Sequence, residues 1–188
     1  VRKDIYIATK TGSTTVEGFW KDLETSLKNL KTDYIDIYQF HNPSFCPKPG
    51  DGTGLYEAML EAKAQGKIHF IGLTNHRLPV AIEACESGLY DTIQFPFSYL
   101  ADQKDIDLVH KCKENNIGFI CMKALSGGLI NRSDAAYAYL AQFDNVLPIW
   151  GIQKENELDE FISYQTKAPE LTQEIQDLIA HDRKELAG

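Results

Sequence analysis

A lysine and a histidine stand where the first two apolar runs of this sequence end. Lys10 follows "IYIAT", and His41 follows "IDIYQF" and precedes Asn-Pro. An ammonium group and an imidazole can both donate a proton or a hydrogen bond to a carbonyl oxygen. A solvated lysine and a histidine held within a turn are the competing interpretations. Neither residue by itself shows whether its role is structural or catalytic.

Amide and hydroxyl groups accompany the next two apolar runs. Thr74 and Asn75 follow "IHFIGL", and Gln94 lies inside "TIQF". Such groups suit the recognition of a carboxamide or a sugar hydroxyl. Turn capping by Asn75 is the alternative, and Gln94 could equally pair with backbone, since a buried amide needs partners.

Two further segments have residues that are suited to binding anions. The fifth apolar run leads into "MKALSGGL", where Ser126, Gly127 and Gly128 form a tight turn that offers backbone N–H groups, a common way to hold phosphate. Lys154 stands near a predicted helix start after the sixth run. A plain turn and a surface lysine are the alternatives.

The elements that must position these residues alternate along the chain. β-rich runs at 5–9, 35–40, 68–73, 92–95, 117–122 and 146–149 are separated by amphipathic helical segments. Thr14 and Glu17 predict a capping box at the first helix, and Gly66 and Gly88 predict helix ends. Six βα units allow an open doubly wound sheet or part of an eight-stranded barrel. In either fold, catalytic and ligand-binding residues lie at the carboxyl ends of the strands.

Composition narrows the functional class. The 188 residues carry a net charge of -8, which argues against nucleic-acid and anionic-membrane partners. No apolar run approaches the roughly 20 residues that span a bilayer, and the start lacks a signal-peptide pattern. The four cysteines are far apart, which predicts reduced thiols and a cytoplasmic protein. We expect one domain over 1–188, with a long functional loop at 42–54 and no metal site.

Several blocks resemble the aldo-keto reductases. They are "RKDIYIATK", "SLKNLKTDYIDIYQFHNP", "AKAQGKIHFIGLTNH", "IQFPFSYL", "MKALSGG" and "LPIWGIQKENELDEF", in the order of that family. The resemblance implies an α/β fold, a (β/α)8 TIM barrel that is incomplete here, with about six of eight βα units present. It also implies reduction of a small-molecule aldehyde or ketone to an alcohol by hydride transfer from NADP(H) or NAD(H).

The resemblance assigns roles to individual residues. Lys10 and His41 are implied to be catalytic, as the lysine and histidine of the family's tetrad. The implied cofactor-binding residues are Thr74, Asn75 and Gln94 at the nicotinamide carboxamide, Met122 at the ring, Ser126, Gly127 and Gly128 along the pyrophosphate, and Gln153, Lys154 and Glu157 near the adenosine phosphate.

The sequence also departs from the family. No stretch of residues 1–188 matches the block "DTAxxYG", which carries the tetrad Asp and Tyr, so we expect this chain to be inactive alone. Met122 replaces a stacking aromatic residue. Glu157 stands where NADP-dependent members carry an arginine, so the choice of cofactor is open and Lys154 could hold the phosphate. The closing "HDRKELAG" resembles the branch with a C-terminal iron-sulfur segment, whose cysteines do not follow here.

Two rival hypotheses remain. One is a non-catalytic nucleotide-binding or interaction module, completed by a partner or by a second copy through open strand edges. The other is a barrel enzyme that uses Lys10 as a Schiff-base nucleophile on a carbonyl substrate.

Overall fold

A computed structural model describes residues 1–186 of the chain. These residues form two compact units. The first comprises residues 1–94 and 114–117, and the second comprises 95–113 and 118–186. The last two residues of "HDRKELAG", Ala187 and Gly188, lie outside the described residues. The expectation of one domain over 1–188 stays a prediction.

Parallel strands and the helices that follow them build the first unit. Its strands are β1 (Ala8–Thr11), β2 (Ile35–His41), β3 (Ile68–Thr74) and the first three residues of β4 (Thr92–Pro96). β1 pairs with β2, β2 with β3 and β3 with β4, all in parallel. The helices are α1 (Val16–Leu30), α2 (Leu55–Ala64) and α3 (Leu78–Ser87).

Aromatic and aliphatic side chains fill the space between the helices and the sheet of the first unit. Phe19 of α1 is completely buried and meets Tyr38 of β2 edge to face, with ring centroids 5.7 Å apart. Phe40 meets Tyr90 in the same way at 6.4 Å. Burying each such side chain contributes about 1.5–3 kcal/mol, so this face of β2 fixes the strand firmly. Side chains alternate along a strand, so Gln39 and His41 point to the other face of the sheet.

The second unit follows the same strand-helix alternation. It contains α4 (Gln103–Glu114, with Glu114 in the first unit), β5 (Gly118–Met122), α5 (Ser133–Leu140), β6 (Val146–Pro148), α6 (Glu155–Thr166) and α7 (Gln173–Leu186). β5 and β6 pair in parallel. Phe97 packs against Phe119 and Phe143 in the core, with ring centroids 5.7 and 5.3 Å away.

The structure corrects two local predictions in the first unit. The first strand was expected at 5–9 but spans Ala8–Thr11, because Ile5 and Tyr6 are exposed and the backbone oxygen of Ile7 is the first to accept bonds from β2. Lys10 therefore lies inside β1. The predicted Thr14–Glu17 capping box is wrong, since Thr15 has the extended backbone of an N-cap and its hydroxyl accepts from the Gly18 N–H at 3.1 Å.

Other boundaries agree with the sequence. Gly66 and Gly88 follow α2 and α3 with φ angles of 72° and 69°, the left-handed conformation that ends helices. All four cysteines, Cys46, Cys85, Cys112 and Cys121, are buried free thiols. Within residues 1–186, no helix combines the length and the apolar character that crossing a membrane requires.

Candidate active site

Lys10 and His41 share one face and one end of the sheet in the first unit. The Cα partner of Lys10 is Gln39, which stands two residues before His41 on β2. Neighbouring strands lie about 4.8 Å apart and each residue rises about 3.3 Å, so the two Cα atoms lie about 8 Å apart. Both side chains are exposed. Lys10 and His41 can therefore both reach one small molecule at the carboxyl end of the sheet.

Thr74 and Gln94 continue the same layer. The Cα partner of His41 is Thr74, and that of Thr74 is Gln94, so these three side chains project from neighbouring strands on the face that also bears Lys10. Thr74 is 2% exposed and Gln94 is 5% exposed. A hydroxyl and a primary amide thus lie beside the histidine in a largely dry environment, where hydrogen bonds are stronger than in water.

Asn75 is completely buried, and its side chain forms hydrogen bonds with backbone groups. Its Nδ2 donates to the carbonyl oxygen of Pro43 at 2.8 Å. Its Oδ1 accepts from the N–H groups of His76 and Arg77 at 2.9 and 2.8 Å. Turn capping, the alternative that the sequence left open, is therefore present. The bond to Pro43 also fixes the loop that follows His41, while a carboxamide contact by Asn75 stays a prediction.

A cavity of about 260 Å³ opens beside His41 within the first unit. Among its lining residues are Ser13, Thr14, His41, Phe45 and Arg77. It lies between the loop after β1 and the loop after β2, so both loops that follow the catalytic candidates shape it. Sequence reasoning missed Arg77, because an arginine before a helix shows no sign of its neighbours in space.

Polar groups of the loop at 42–54 and of α2 order the loop. Asp51 Oδ1 accepts from the backbone N–H of Thr53 at 2.8 Å and from its hydroxyl at 2.7 Å. The N–H of Gly50 donates to a carboxylate oxygen of Glu57 at 2.8 Å. Cys46 is 2% exposed, and burial raises the pKa of its thiol, which fits a structural role for this side chain.

Gln39 is a candidate that the sequence analysis missed. It is 1% exposed, it faces the same side as Lys10 and His41, and its Nε2 donates to Gln94 Oε1 at 3.0 Å. The signal in the sequence was the one that identified Gln94, a polar residue inside an apolar run.

The second unit contains the predicted phosphate turn. Ser126, Gly127 and Gly128 form a short 3-10 turn in which all three φ angles are positive, at 49°, 69° and 99°. The N–H groups of Ser126 and Gly128 already donate within the segment, to the carbonyl oxygens of Lys123 and Leu125 at 2.7 and 2.9 Å. The turn itself therefore uses these two N–H groups, and contact of Ser126, Gly127 and Gly128 with a phosphate stays a prediction.

Side chains beside the turn line a cavity of about 280 Å³. Ser126 and Ser98 share a hydrogen bond of 2.8 Å between their hydroxyls, and Lys123 and Asp105 line the same cavity. Burial and the neighbouring Asp102 raise the pKa of Asp105. The sequence analysis missed Lys123, a cation next to the turn, although it stands within the quoted block "MKALSGG".

Met122 and the start of α6 complete the predicted set. Met122 ends β5, and its carbonyl oxygen accepts from the N–H of Phe97 at 3.0 Å. Glu157 accepts from the N–H groups of Gln153 and Lys154 at 2.8 and 3.2 Å, which holds the pKa of its carboxyl below the usual value. Glu157 therefore caps α6, and Lys154 at the N-cap presents an exposed ammonium.

No group of three or more metal-ligating side chains from His, Cys, Asp and Glu occurs within residues 1–186.

The chain matches one protein-family model and several known proteins. The model of the Aldo/keto reductase family matches residues 1–146. Methylglyoxal reductase DkgB of Salmonella typhi is 38% identical over 118 residues, covering 56% of this chain and 42% of that protein. Aldo-keto reductase yakc [NADP(+)] of Schizosaccharomyces pombe is 30% identical over 144 residues, covering 69% and 42%. The chain thus spans less than half the length of these relatives.

Solved structures agree with the sequence relatives on the fold. The aldo-keto reductase AKR11C1 from Bacillus halodurans, in its holo form, superimposes with a TM-score of 0.79 at 21% identity, over 96% of this chain and 73% of that one. This likeness confirms the predicted α/β fold of the aldo-keto reductase barrel type, with six strands alternating with helices in the described residues.

Proposed function

Because this chain belongs to the aldo-keto reductase family, we propose that it carries most of the site of an NAD(P)H-dependent carbonyl reductase. The observation that carries the proposal is the shared face of Lys10, His41, Thr74 and Gln94 at the carboxyl ends of neighbouring strands. Reduction of a carbonyl places negative charge on its oxygen, which requires nearby hydrogen-bond donors. Lys10 and His41 supply donors on that face.

The first unit offers groups that fit the nicotinamide end of such a cofactor. A carboxamide has one acceptor and one donor group, and a hydroxyl and a primary amide can match both. Thr74 and Gln94 supply these groups from buried positions beside His41. When bound, the cofactor supplies the hydride. The role of this chain is to hold the carboxamide through Thr74, Asn75 and Gln94, and to orient the substrate carbonyl through His41.

The second unit carries further residues that the resemblance to the family assigns to cofactor binding. Met122 packs on the nicotinamide ring, and the turn of Ser126, Gly127 and Gly128 contacts the pyrophosphate. Lys123 adds a positive charge beside that turn and supports this assignment. The third set, Gln153, Lys154 and Glu157, contacts the adenosine end, where Lys154 attracts a phosphate and Glu157 keeps the start of α6 in place.

The proton donor is the part that residues 1–188 do not provide. They contain no match to the tyrosine-bearing block of the family. On its own, the chain is therefore proposed to bind the cofactor without turning over a carbonyl substrate. The proposed substrates are small aldehydes or ketones, since several relatives from Salmonella and Escherichia coli carry the name methylglyoxal reductase.

Cofactor binding by the 188-residue chain tests this proposal. We expect NADPH or NADH to bind, measured by titration calorimetry, and Gln94→Ala to weaken binding about fivefold through the loss of one buried hydrogen-bonding amide. Gln65→Ala is the matched control, because Gln65 is an exposed glutamine of the same unit. The same preparation is expected to oxidise no NADPH with methylglyoxal.

Two outcomes would contradict the proposal. If the folded chain binds neither NADPH nor NADH, the assignment of the cofactor site fails. If the chain alone oxidises NADPH with methylglyoxal, a residue within 1–188 donates the proton and the assignment of roles must be revised.

A second candidate is an interaction module completed by a partner or a second copy. The observation that favours it is Phe70, which is 44% exposed although it lies on β3, with β2 and β4 paired on either side. A covering chain would bury this ring and extend the pairing of β1. A carbonyl reductase needs no such covering chain. The mass of the purified chain in solution therefore separates the reductase from the interaction module.

A further inference from the structure

The cavity beside His41 has a cation and no carboxylate in its lining. Arg77 lines it from the N-cap of α3, and none of the residues of 1–186 that line it is Asp or Glu. Asp22 accepts from the hydroxyls of the lining residues Thr11 and Ser13 at 2.7 and 2.9 Å, but it is not part of the lining itself. The cavity is therefore a positively charged region of a chain whose net charge is -8, and such a region attracts small anions.

The loop after β2 holds the guanidinium of Arg77 next to His41. Arg77 Nη1 lies 3.3 Å from Asn42 Oδ1 and 3.5 Å from the carbonyl oxygens of Asn42 and Pro43. These bonds are long and their acceptors are neutral, so they position the guanidinium without balancing its charge. The N–H of Asn42 donates to the carbonyl oxygen of Thr74 at 2.7 Å, which ties this residue to β3. Arg77 is thus anchored to the residue that directly follows His41.

These contacts leave one edge of the guanidinium for a ligand. A guanidinium carries five N–H groups, and a carboxylate can accept two parallel hydrogen bonds from it. All three contacts of Arg77 with the loop use Nη1, and the side chain is exposed. The edge formed by Nε and Nη2 takes no part in them. It can therefore bind a carboxylate in bidentate fashion while Nη1 stays on the loop.

The rest of the cavity wall is mostly apolar. Five apolar side chains contribute to it, those of Phe40, Pro43, Phe45, Pro47 and Leu55. A wall of this kind suits a short carbon chain, and a few polar groups then fix the orientation of the ligand. His41 lines the same cavity and can donate a hydrogen bond to a carbonyl oxygen. The lining therefore matches a compound that has a carbonyl group, a short carbon chain and a carboxylate.

We propose that Arg77 is a specificity-determining residue, which makes small oxo acids, aldehydes or ketones that carry a carboxylate, the preferred ligands of the cavity beside His41. In the bound compound, the carboxylate pairs with Arg77 and the carbonyl oxygen lies at His41. Reduction of that carbonyl rests on the proposed function, whereas binding of the oxo acid depends only on the cavity. A neutral carbonyl compound of the same size lacks the ion pair and binds more weakly.

Binding of pyruvate and pyruvamide to the 188-residue chain tests the inference. The two probes have the same size and the same ketone, and they differ in charge. Ligand-observed NMR titration at low ionic strength measures both dissociation constants. We expect pyruvate to bind about fivefold more tightly than pyruvamide, the upper range for an exposed ion pair.

Arg77→Met separates the charge of Arg77 from its contacts with the loop. We expect this variant to lose the preference for pyruvate and to keep the affinity for pyruvamide within about twofold of the original chain. If Arg77 only held the loop, the variant would weaken both probes equally. Lys21→Met is the control for the loss of one positive charge, because Lys21 is exposed on α1 and does not line the cavity.

Arg77→Lys tests the bidentate geometry. Lysine keeps the positive charge but lacks the planar fork that matches a carboxylate. The affinity of Arg77→Lys for pyruvate is therefore expected to lie between those of the original chain and Arg77→Met, with the affinity for pyruvamide unchanged. Circular dichroism melting shows whether each variant is folded, and Arg77→Lys provides the second arm if Arg77→Met is not.

The outcomes separate the inference from the proposed function. Equal affinity of the folded original chain for the two probes overturns the inference, and so does a preference for pyruvate that Arg77→Met retains. If the same preparation binds NADPH or NADH in titration calorimetry, the proposed cofactor site stands in either case. A chain that binds neither nucleotide but prefers pyruvate through Arg77 overturns the proposed function and keeps the site for oxo acids.

Discussion

At the scale of single residues, register decides what Lys10 can do. Lys10 stands opposite Gln39 and not opposite His41, so its Cα lies one layer deeper in the sheet than that of the histidine. A lysine side chain is long enough to reach the rim from this position, and His41 is already there. The side chains of Lys10 and His41 therefore approach a common point from different depths. This arrangement suits a role for Lys10 in tuning a neighbouring proton donor and a role for His41 in orienting the carbonyl.

Replacing Lys10 tests this arrangement. In a catalytically active protein that contains this chain, we expect Lys10→Met to lower kcat by about 10²- to 10⁴-fold, the range for loss of acid-base assistance. The Kd for NADPH is expected to change less than about threefold, because the proposed cofactor contacts lie elsewhere. Stopped-flow turnover and calorimetry measure the two quantities.

Lys21→Met is the control for the loss of one positive charge, since Lys21 is exposed on α1. Unchanged kcat in Lys10→Met would remove this residue from the mechanism. Borohydride trapping of an aldehyde on Lys10 would support the Schiff-base hypothesis instead.

At the scale of elements, Asp36 fastens the segment before β1 to β2. Its Oδ2 accepts from the Ile7 N–H and from Arg2 Nη2, both at 2.8 Å, and His69 Nδ1 lies 3.6 Å from its Oδ1. Burial raises the pKa of this carboxyl, but the bonds from Ile7 and Arg2 outweigh it and the pKa is lowered. The bound, charged form of Asp36 therefore stabilises the placement of β1, and with it that of Lys10.

Stability should depend on pH through Asp36. A group with a lowered pKa in the folded state contributes stability above its unfolded pKa of about 3.9, and this contribution is lost as the pH falls through the folded pKa. We expect Asp36→Asn to reduce the free energy of unfolding by about 1–3 kcal/mol at pH 7. The difference from the original chain is expected to shrink below pH 4. Urea denaturation at pH 7 and pH 3 measures both values.

Asp33→Asn serves as the matched control, because Asp33 is exposed three residues away. A loss of stability in Asp36→Asn that is the same at pH 7 and pH 3 would show that the negative charge of Asp36 is not the source of the stabilisation.

At the scale of the whole molecule, charge and exposed apolar surface indicate the mode of association. The net charge of -8 opposes self-association by repulsion between copies. Phe70 and Leu147, which are 44% and 58% exposed on strands of the first and second units, favour it. Scattered single apolar residues are normal on protein surfaces, so repulsion is expected to prevail.

Light scattering of the purified 188-residue chain tests that balance. We expect the mass of one chain at 150 mM salt, because charge repulsion still operates at this ionic strength. A stable dimer that Phe70→Lys converts to a monomer would favour the interaction module over the reductase. Leu60→Lys is the control, since Leu60 is 45% exposed on a helix of the same unit.

The sequence by itself determined the class of fold and the candidate residues. Short apolar runs alternate with amphipathic segments, and the first three strands end in the polar residues Thr11, His41 and Thr74. A buried parallel strand admits polar side chains mainly at its ends. The predicted helix ends at Gly66 and Gly88 needed only local information, since glycine tolerates the left-handed backbone. The resemblance to aldo-keto reductases depended on motifs of consecutive residues, which a sequence displays directly.

Only the tertiary structure decided how those residues are used. The bond between Gln39 and Gln94 joins residues that are 55 apart in sequence, and it requires a glycine on the strand between them. The hydrogen bond from Asn75 to the carbonyl oxygen of Pro43 also depends on the three-dimensional positions of backbone groups. The same holds for the capping of α6 by Glu157. Side-chain periodicity fixes the face on which a residue lies. Strand register and the direction of a hydrogen bond are fixed by long-range pairing, which a local pattern does not encode.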